Sequence, residues 1–124
     1  MGIMELQKTF YFEASHSLPN VPPEHKCRNV HGHSFSVTVT LQGPVDPNSG
    51  WILDFAEVNR IVQPTIDRLD HSMLNEIPGL ENPTSEHIAL WLWENLTSDL
   101  SGLTAIEVQE SATARCVYRG DRSK

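Results

Sequence analysis

The feature that most restricts the fold is an unbroken alternation of two kinds of residue from His31 to Leu41. One parity of this run consists of bulky or aromatic side chains: His31, His33, Phe35, Val37, Val39 and Leu41. The other parity holds only glycine, serine and threonine. Because successive side chains of a strand point to opposite faces, the pattern predicts a half-buried strand whose apolar face needs a covering layer.

Three further strands are predicted. The segment Leu6–His16 alternates, with one parity occupied by Phe10, Phe12, Ala14 and His16. Ile106, Val108 and Glu110 share a parity in a third strand, and Arg115–Arg119 is expected to return as a fourth. Strands of this kind, separated by short polar segments, are typical of an antiparallel sheet with one buried face.

Two helices are predicted between the strand pairs. Asp54 and Glu57 form a capping-box pattern ahead of apolar residues at helical spacing, although Pro64 is expected to kink or interrupt that helix. A second helix is expected from the polar cluster at 82–85 to Gly102. The predicted fold is therefore α+β: a four-stranded antiparallel sheet with two helices on one face, in the order ββααββ.

Length and charge limit the class of protein. The chain has 124 residues, which predicts a single domain over residues 1–124. Its net charge of -7 argues against broad binding to nucleic acid or to an anionic membrane, both of which select basic surfaces. Apolar runs of spanning length and an export signal are not found, so a cytoplasmic location is expected. A disulfide between Cys27 and Cys116 is the less favoured alternative to reduced thiols.

Three histidines share one predicted face. His16 ends the apolar parity of the first strand, whereas His31 and His33 begin that of the second. If these strands pair antiparallel, the three imidazoles converge at one end of the sheet. Three nitrogen ligands with an open fourth position are typical of catalytic zinc. Zinc is favoured over iron because no carboxylate accompanies the three histidines. The alternative is that each histidine is an ordinary buried or surface residue.

Three other groups are candidates for chemistry. Cys27 lies between Lys26 and Arg28, and flanking cations favour a thiolate that acts as base or nucleophile. It would equally serve as a fourth zinc ligand that closes a structural site. Adjacent Asp and His residues at positions 70 and 71 suggest a histidine oriented by a carboxylate.

Glu110 is the one carboxylate on the apolar parity of its strand. A half-buried carboxylate needs a partner, so Glu110 either pairs with an arginine such as Arg115 or accepts from a ligand. The paired N–H donors of a guanine or pterin edge suit a carboxylate. The sequence alone leaves these two interpretations open.

Together these residues resemble the 6-pyruvoyl-tetrahydropterin synthase family over essentially the whole chain. The resemblance is carried by His16, Cys27, His31-Gly32-His33, Asp70-His71, Pro83-Thr84-Ser85-Glu86 and Glu110. The short spacing from Cys27 to the His-Gly-His motif is most similar to the bacterial branch that forms 6-carboxytetrahydropterin in queuosine (7-deazaguanine) biosynthesis. The resemblance implies a zinc-dependent lyase that converts 7,8-dihydroneopterin triphosphate to 6-carboxytetrahydropterin, acetaldehyde and triphosphate. It also implies the tunnelling fold (T-fold), with trimers stacked as a homohexamer and active sites between subunits.

The resemblance further implies a role for each residue. Zinc would be held by His16, His31 and His33. Cys27 would be the base, and His71, oriented by Asp70, would relay protons. Glu110 would hold the pterin edge, with Thr84 and Ser85 lining the ring pocket. The candidates for triphosphate binding are basic residues: Lys26, Arg28, Arg115 and Arg119.

Three alternatives stay open at this point. A pyruvoyl-forming or a sepiapterin-cleaving enzyme would use the same groups and differ in the bond that breaks. The third is a non-catalytic zinc- or pterin-binding module in which Cys27 closes the metal site.

Overall fold

A computed structural model describes residues 2–120 of the chain. In chain order its elements are β1 (Ile3–His16), β2 (His31–Pro44), α1 (Phe55–Leu69), β3 (Ser72–Met73), α2 (Ser85–Leu96), β4 (Leu103–Ser111) and β5 (Ala114–Tyr118). Short 3-10 turns cover Lys26–Arg28 and Leu74–Glu76. The order of strands and helices is thus ββαβαββ, and the predicted order ββααββ is wrong by one short strand.

The sheet has five strands in the order β3-β1-β2-β4-β5. The four longer strands pair antiparallel, as predicted, but β3 runs parallel to β1 through Ala14 opposite Ser72 and Ser15 opposite Met73. The sheet is therefore mixed rather than wholly antiparallel. A strand of two residues is too short to carry an alternation, so no pattern in the sequence could reveal β3.

The inward parity of the strands forms the core with the two helices. Phe10, Phe12, Phe35, Val37 and Ile106 are all buried, as the alternation predicts. The same face of the sheet carries the three histidines at one end, because β1 and β2 pair with His16 opposite His31 and Ala14 opposite His33.

Helix α1 begins at the predicted cap. The Asp54 carboxylate accepts the Ala56 N–H at 3.0 Å. Glu57 does not complete the capping box; its carboxylate binds the Arg60 guanidinium at 2.6 Å instead. Pro64 does not interrupt the helix, which continues to Leu69. A proline removes one helical hydrogen bond, and here the buried residues Val58, Val62, Ile66 and Leu69 hold the helix against the core on either side of it.

Helix α2 begins where predicted but ends earlier. The Thr84 hydroxyl accepts the His87 N–H at 3.1 Å, and the helix ends at Leu96, not Gly102. Gly102 has a different function: with a φ of 84°, a Cβ at this position would lie 2.7 Å from the Gln42 carbonyl oxygen. Glycine therefore permits the close approach that starts β4 beside β2. Within residues 2–120, neither helix is long and apolar enough to cross a membrane.

Candidate metal centre and adjoining cleft

The three predicted histidines meet at one end of the sheet. Their ring centroids are separated by 4.6 Å (His16 to His31), 5.1 Å (His16 to His33) and 5.0 Å (His31 to His33). One nitrogen from each ring lies within 4.8 Å of the other two. The convergence predicted from strand parity is present in the structure.

Backbone carbonyls fix the orientation of two rings. His16 Nδ1 lies 2.8 Å from the Pro83 carbonyl oxygen, and His31 Nδ1 lies 2.7 Å from that of Asn29. A carbonyl only accepts, so Nδ1 must carry a proton in each ring, and in the neutral form of the ring Nε2 presents its lone pair. This is the arrangement by which partners outside a metal's ligand set orient histidine ligands.

The remaining nitrogens fit a cation. The Nε2 atoms of His16 and His33 are buried, and neither has a hydrogen-bond partner among the described residues. Burial is the main cause that lowers the pKa of His16, opposed by its bond to Pro83, so its ring is neutral at pH 7. Buried lone pairs without donors cost free energy unless a ligand takes them. Three converging imidazoles fit zinc, and His16, His31 and His33 are the residues that would hold it.

Glu110 faces the same group of histidines. Its carboxylate oxygens lie 4.0 Å from His16 Nε2 and 3.8 Å from His33 Nε2, which is too far for a hydrogen bond. The Ser85 hydroxyl donates to Glu110 Oε1 at 3.3 Å. The alternative pairing of Glu110 with Arg115 is not found, because Arg115 lies opposite Gln109 on the outward parity of β5. One side of the carboxylate therefore remains available to a ligand.

Cys27 lines a cleft together with two of the histidines and Glu110. An open cavity of about 480 Å³ is lined by Lys26, Cys27, His31, Gly32, His33 and Glu110. Among residues 2–120 the group of potential metal ligands contains the three histidines and not Cys27, and both cysteines are free thiols. The structure therefore supports an open metal position beside a free thiol over a closed four-ligand site, and it gives no disulfide between Cys27 and Cys116.

Asp70 and His71 form the predicted pair on another surface. His71 Nδ1 lies 3.0 Å from Asp70 Oδ2, and Asp70 Oδ1 accepts the Glu13 N–H at 2.9 Å. The Glu13 N–H is the main cause that lowers the pKa of Asp70, followed by His71, so the carboxylate is ionised. The His71 backbone adopts a φ of 57° and its N–H donates to the Glu13 carbonyl. Its side chain faces a separate cavity with the outward-facing residues Glu13, Ser15 and Ser34.

The other predicted site residues are spread more widely. Thr84 uses its hydroxyl to cap α2, and the Ser85 hydroxyl donates to the Glu110 carboxylate. Of the basic residues, Lys26 lines the cleft, whereas the Arg28 guanidinium donates to the Val21 carbonyl at 3.0 Å. The roles of the Asn29 and Pro83 carbonyls could not be predicted from the sequence, because every residue has a carbonyl.

A comparison with protein families now assigns the class. The family model described as 6-pyruvoyl tetrahydropterin synthase matches residues 5–121. The chain belongs to this family, as the resemblance indicated.

Individual relatives refine the comparison. A 6-carboxy-5,6,7,8-tetrahydropterin synthase of Synechocystis is 37% identical over 94% of each chain. A dihydroneopterin monophosphate aldolase of Pyrococcus furiosus is 35% identical over 73% of each chain. The structure of 6-pyruvoyl tetrahydropterin synthase from Caenorhabditis elegans superimposes with a TM-score of 0.90, at 28% identity over 98% of each chain. The T-fold is confirmed, and the relatives support an enzyme that acts on a pterin.

Proposed function

We propose that the chain is a zinc-dependent 6-carboxy-5,6,7,8-tetrahydropterin synthase of queuosine biosynthesis, located in the cytoplasm. The observation that carries the proposal is a cleft lined by His31, His33, the Cys27 thiol and the Glu110 carboxylate, with the buried imidazole of His16 converging on the other two. The reaction converts 7,8-dihydroneopterin triphosphate and water to 6-carboxytetrahydropterin, acetaldehyde and triphosphate. The similarity to the Synechocystis enzyme supports this product.

The metal has a defined place in this proposal. Zinc held by His16, His31 and His33 supplies a Lewis acid beside the side-chain oxygens of the substrate. The protein contributes the orientation, because the Pro83 and Asn29 carbonyls hold two of the rings with Nε2 inward.

Glu110 binds the pterin ring. Its two oxygens accept the paired N–H donors of the amino-pyrimidinone edge, and Oε1 also accepts the Ser85 hydroxyl. Such a contact fixes the ring, so the substrate side chain extends toward the histidines and Cys27. Thr84 supports this arrangement from the start of α2, which carries Ser85.

Cys27 and His71 move the protons. Cys27, as thiolate, removes a proton from a carbon of the substrate side chain, and Lys26 lines the same cavity. His71, whose Nδ1–H is held by Asp70, offers Nε2 to the opposite side of the substrate. In one chain these two groups line different cavities. We propose that a homohexamer, built as two trimers, brings Cys27 of one copy to His71 of another.

The deciding experiment identifies the product. The purified chain, loaded with zinc, is incubated with 7,8-dihydroneopterin triphosphate, and the pterin is identified by mass while acetaldehyde is trapped as its hydrazone. We expect 6-carboxytetrahydropterin with one acetaldehyde per pterin. A pyruvoyl product without acetaldehyde would assign the chain to the other branch of the family, and bound zinc with no product would leave a binding module.

The Pyrococcus relative gives a second candidate, an aldolase acting on dihydroneopterin monophosphate. The same groups would cleave a carbon–carbon bond without eliminating triphosphate. Incubation with the monophosphate separates the two, since only the aldolase releases glycolaldehyde phosphate and leaves a 6-hydroxymethyl pterin.

A further inference from the structure

Cys27 sits on a single turn whose conformation decides where its thiol points. Lys26–Arg28 form a 3-10 turn of three residues, too short to be stable from its own hydrogen bonds. The turn must therefore be held by groups around it. Both hydrogen-bonding groups of the Cys27 backbone have partners in the structure.

One of these partners is a side chain that the proposed function does not use. The Cys27 N–H donates to His25 Nδ1 at 3.1 Å, and His25 is the N-cap residue of the turn. The Cys27 carbonyl accepts the Leu18 N–H at 2.9 Å, which ties the turn to the segment after β1. Because only the His25 contact is made by a side chain, it is the one that a substitution can remove.

The tautomer of His25 follows from this contact. A backbone N–H can donate only to an unprotonated nitrogen, so Nδ1 presents its lone pair and the ring proton resides on Nε2. This is the reverse of His16 and His31, whose Nδ1 atoms face carbonyls. The exposed His25 ring therefore acts as an N-cap acceptor, a position usually taken by Asp, Asn, Ser or Thr.

We propose that His25 is a positioning residue for Cys27. By accepting the Cys27 N–H it holds the turn that presents the thiol to the cleft shared with His31, His33 and Glu110. This inference rests on the proposed function, in which Cys27 is the base. A side chain that fixes the base without touching substrate affects the rate of the chemical step rather than substrate binding.

The test uses a substitution and its rescue. His25→Ala removes the acceptor, His25→Asn restores one suited to an N-cap, and Glu24→Ala is a control at the neighbouring exposed position. Loss of a typical N-cap lowers the equilibrium constant for forming its turn about fivefold. We therefore expect His25→Ala to lower kcat about fivefold, while KM changes less than about twofold. His25→Asn is expected to recover most of kcat, and Glu24→Ala to match the wild type. Zinc content stays at the wild-type value in all three.

A second measurement tests the contact without turnover. Hydrogen exchange followed by mass spectrometry reports the peptide that spans residues 24–29. His25→Ala should exchange faster there than wild type, and His25→Asn should not. Wild-type kcat in His25→Ala, failure of His25→Asn to recover kcat, or unchanged exchange would each overturn the inference. If the wild-type chain forms no product, the proposed function fails, and the exchange result alone decides whether His25 holds the turn.

Discussion

At the end of the sheet that carries the histidines, the two faces differ in how firmly they hold their candidate site residues. On the core side His16 is 1% exposed, and its ring is fixed by the Pro83 carbonyl among two other imidazoles. On the outer side the His71 side chain is 80% exposed and is held by Asp70 alone among the described side chains. Among the described residues that line the two cavities, only Gly32 and His33 are common to both. A single chain therefore preorganises the half of the proposed site that contains the three histidines and Cys27, and leaves the half that contains Asp70 and His71 exposed.

The largest expected effect comes from Cys27 on the cleft side. Cys27→Ala should lower kcat about 10²- to 10⁴-fold, because a general base is lost, and should leave one zinc per chain. Steady-state kinetics and metal analysis measure the two effects. Cys116→Ala is the matched control, since this half-buried thiol packs against the core away from the cleft. Loss of zinc from Cys27→Ala would instead make the thiol a ligand.

The metal half is tested through His33. Loss of a group that only hydrogen-bonds a metal ligand typically weakens metal binding about 10- to 100-fold. His33→Ala removes a proposed ligand itself, so it should weaken zinc binding by more than this. Competition with a chromogenic chelator measures the dissociation constant, with Glu24→Ala as a control away from the histidines. Zinc affinity equal to wild type in His33→Ala would show that the three imidazoles do not form the site.

The outer half is tested by mixing variants. Cys27→Ala and His71→Ala should each be nearly inactive alone, and co-refolding them together should restore part of the activity. Restoration is expected because the two cavities are separate in one chain, so sites with one intact residue from each copy can form. Activity in the mixture no greater than the average of the separate variants would place the two residues in one subunit.

The smallest expected effect concerns Asp70. Its pKa lies below the ordinary value of about 3.9, so its ionised form stabilises the fold above that pH and this contribution is lost as the pH falls through the lowered pKa. Asp70→Asn should make urea unfolding midpoints fall less steeply below about pH 4 than those of wild type. Asp67→Asn serves as a control on α1. Equal slopes in Asp70→Asn and wild type would contradict the assignment.

Much of the cleft side could be predicted because it follows from parity. His16, His31 and His33 continue the same alternation as Phe12 and Phe35, so a correct strand register brings the rings together. The Asp70-His71 pair could be recognised, but its placement depends on β3 and on the left-handed backbone of His71, neither of which leaves a local pattern.

The helix bounds likewise include one feature that local sequence predicts and one that depends on tertiary packing. The start of α1 at Asp54 follows from local capping chemistry, whereas its passage through Pro64 depends on burial of the helix against the sheet. Tertiary packing there outweighs the cost that local sequence assigns to proline.

The bond between His16 and Pro83 sets an order of events as the chain folds. The two residues are 67 positions apart, although all three histidines lie in the first third of the sequence. A newly made β1–β2 hairpin would already hold the imidazoles, but the carbonyl that selects the tautomer of His16 arrives only with the segment before α2. High-affinity binding of the proposed metal would thus be a late step, and a truncated or half-folded chain would compete poorly for the ion.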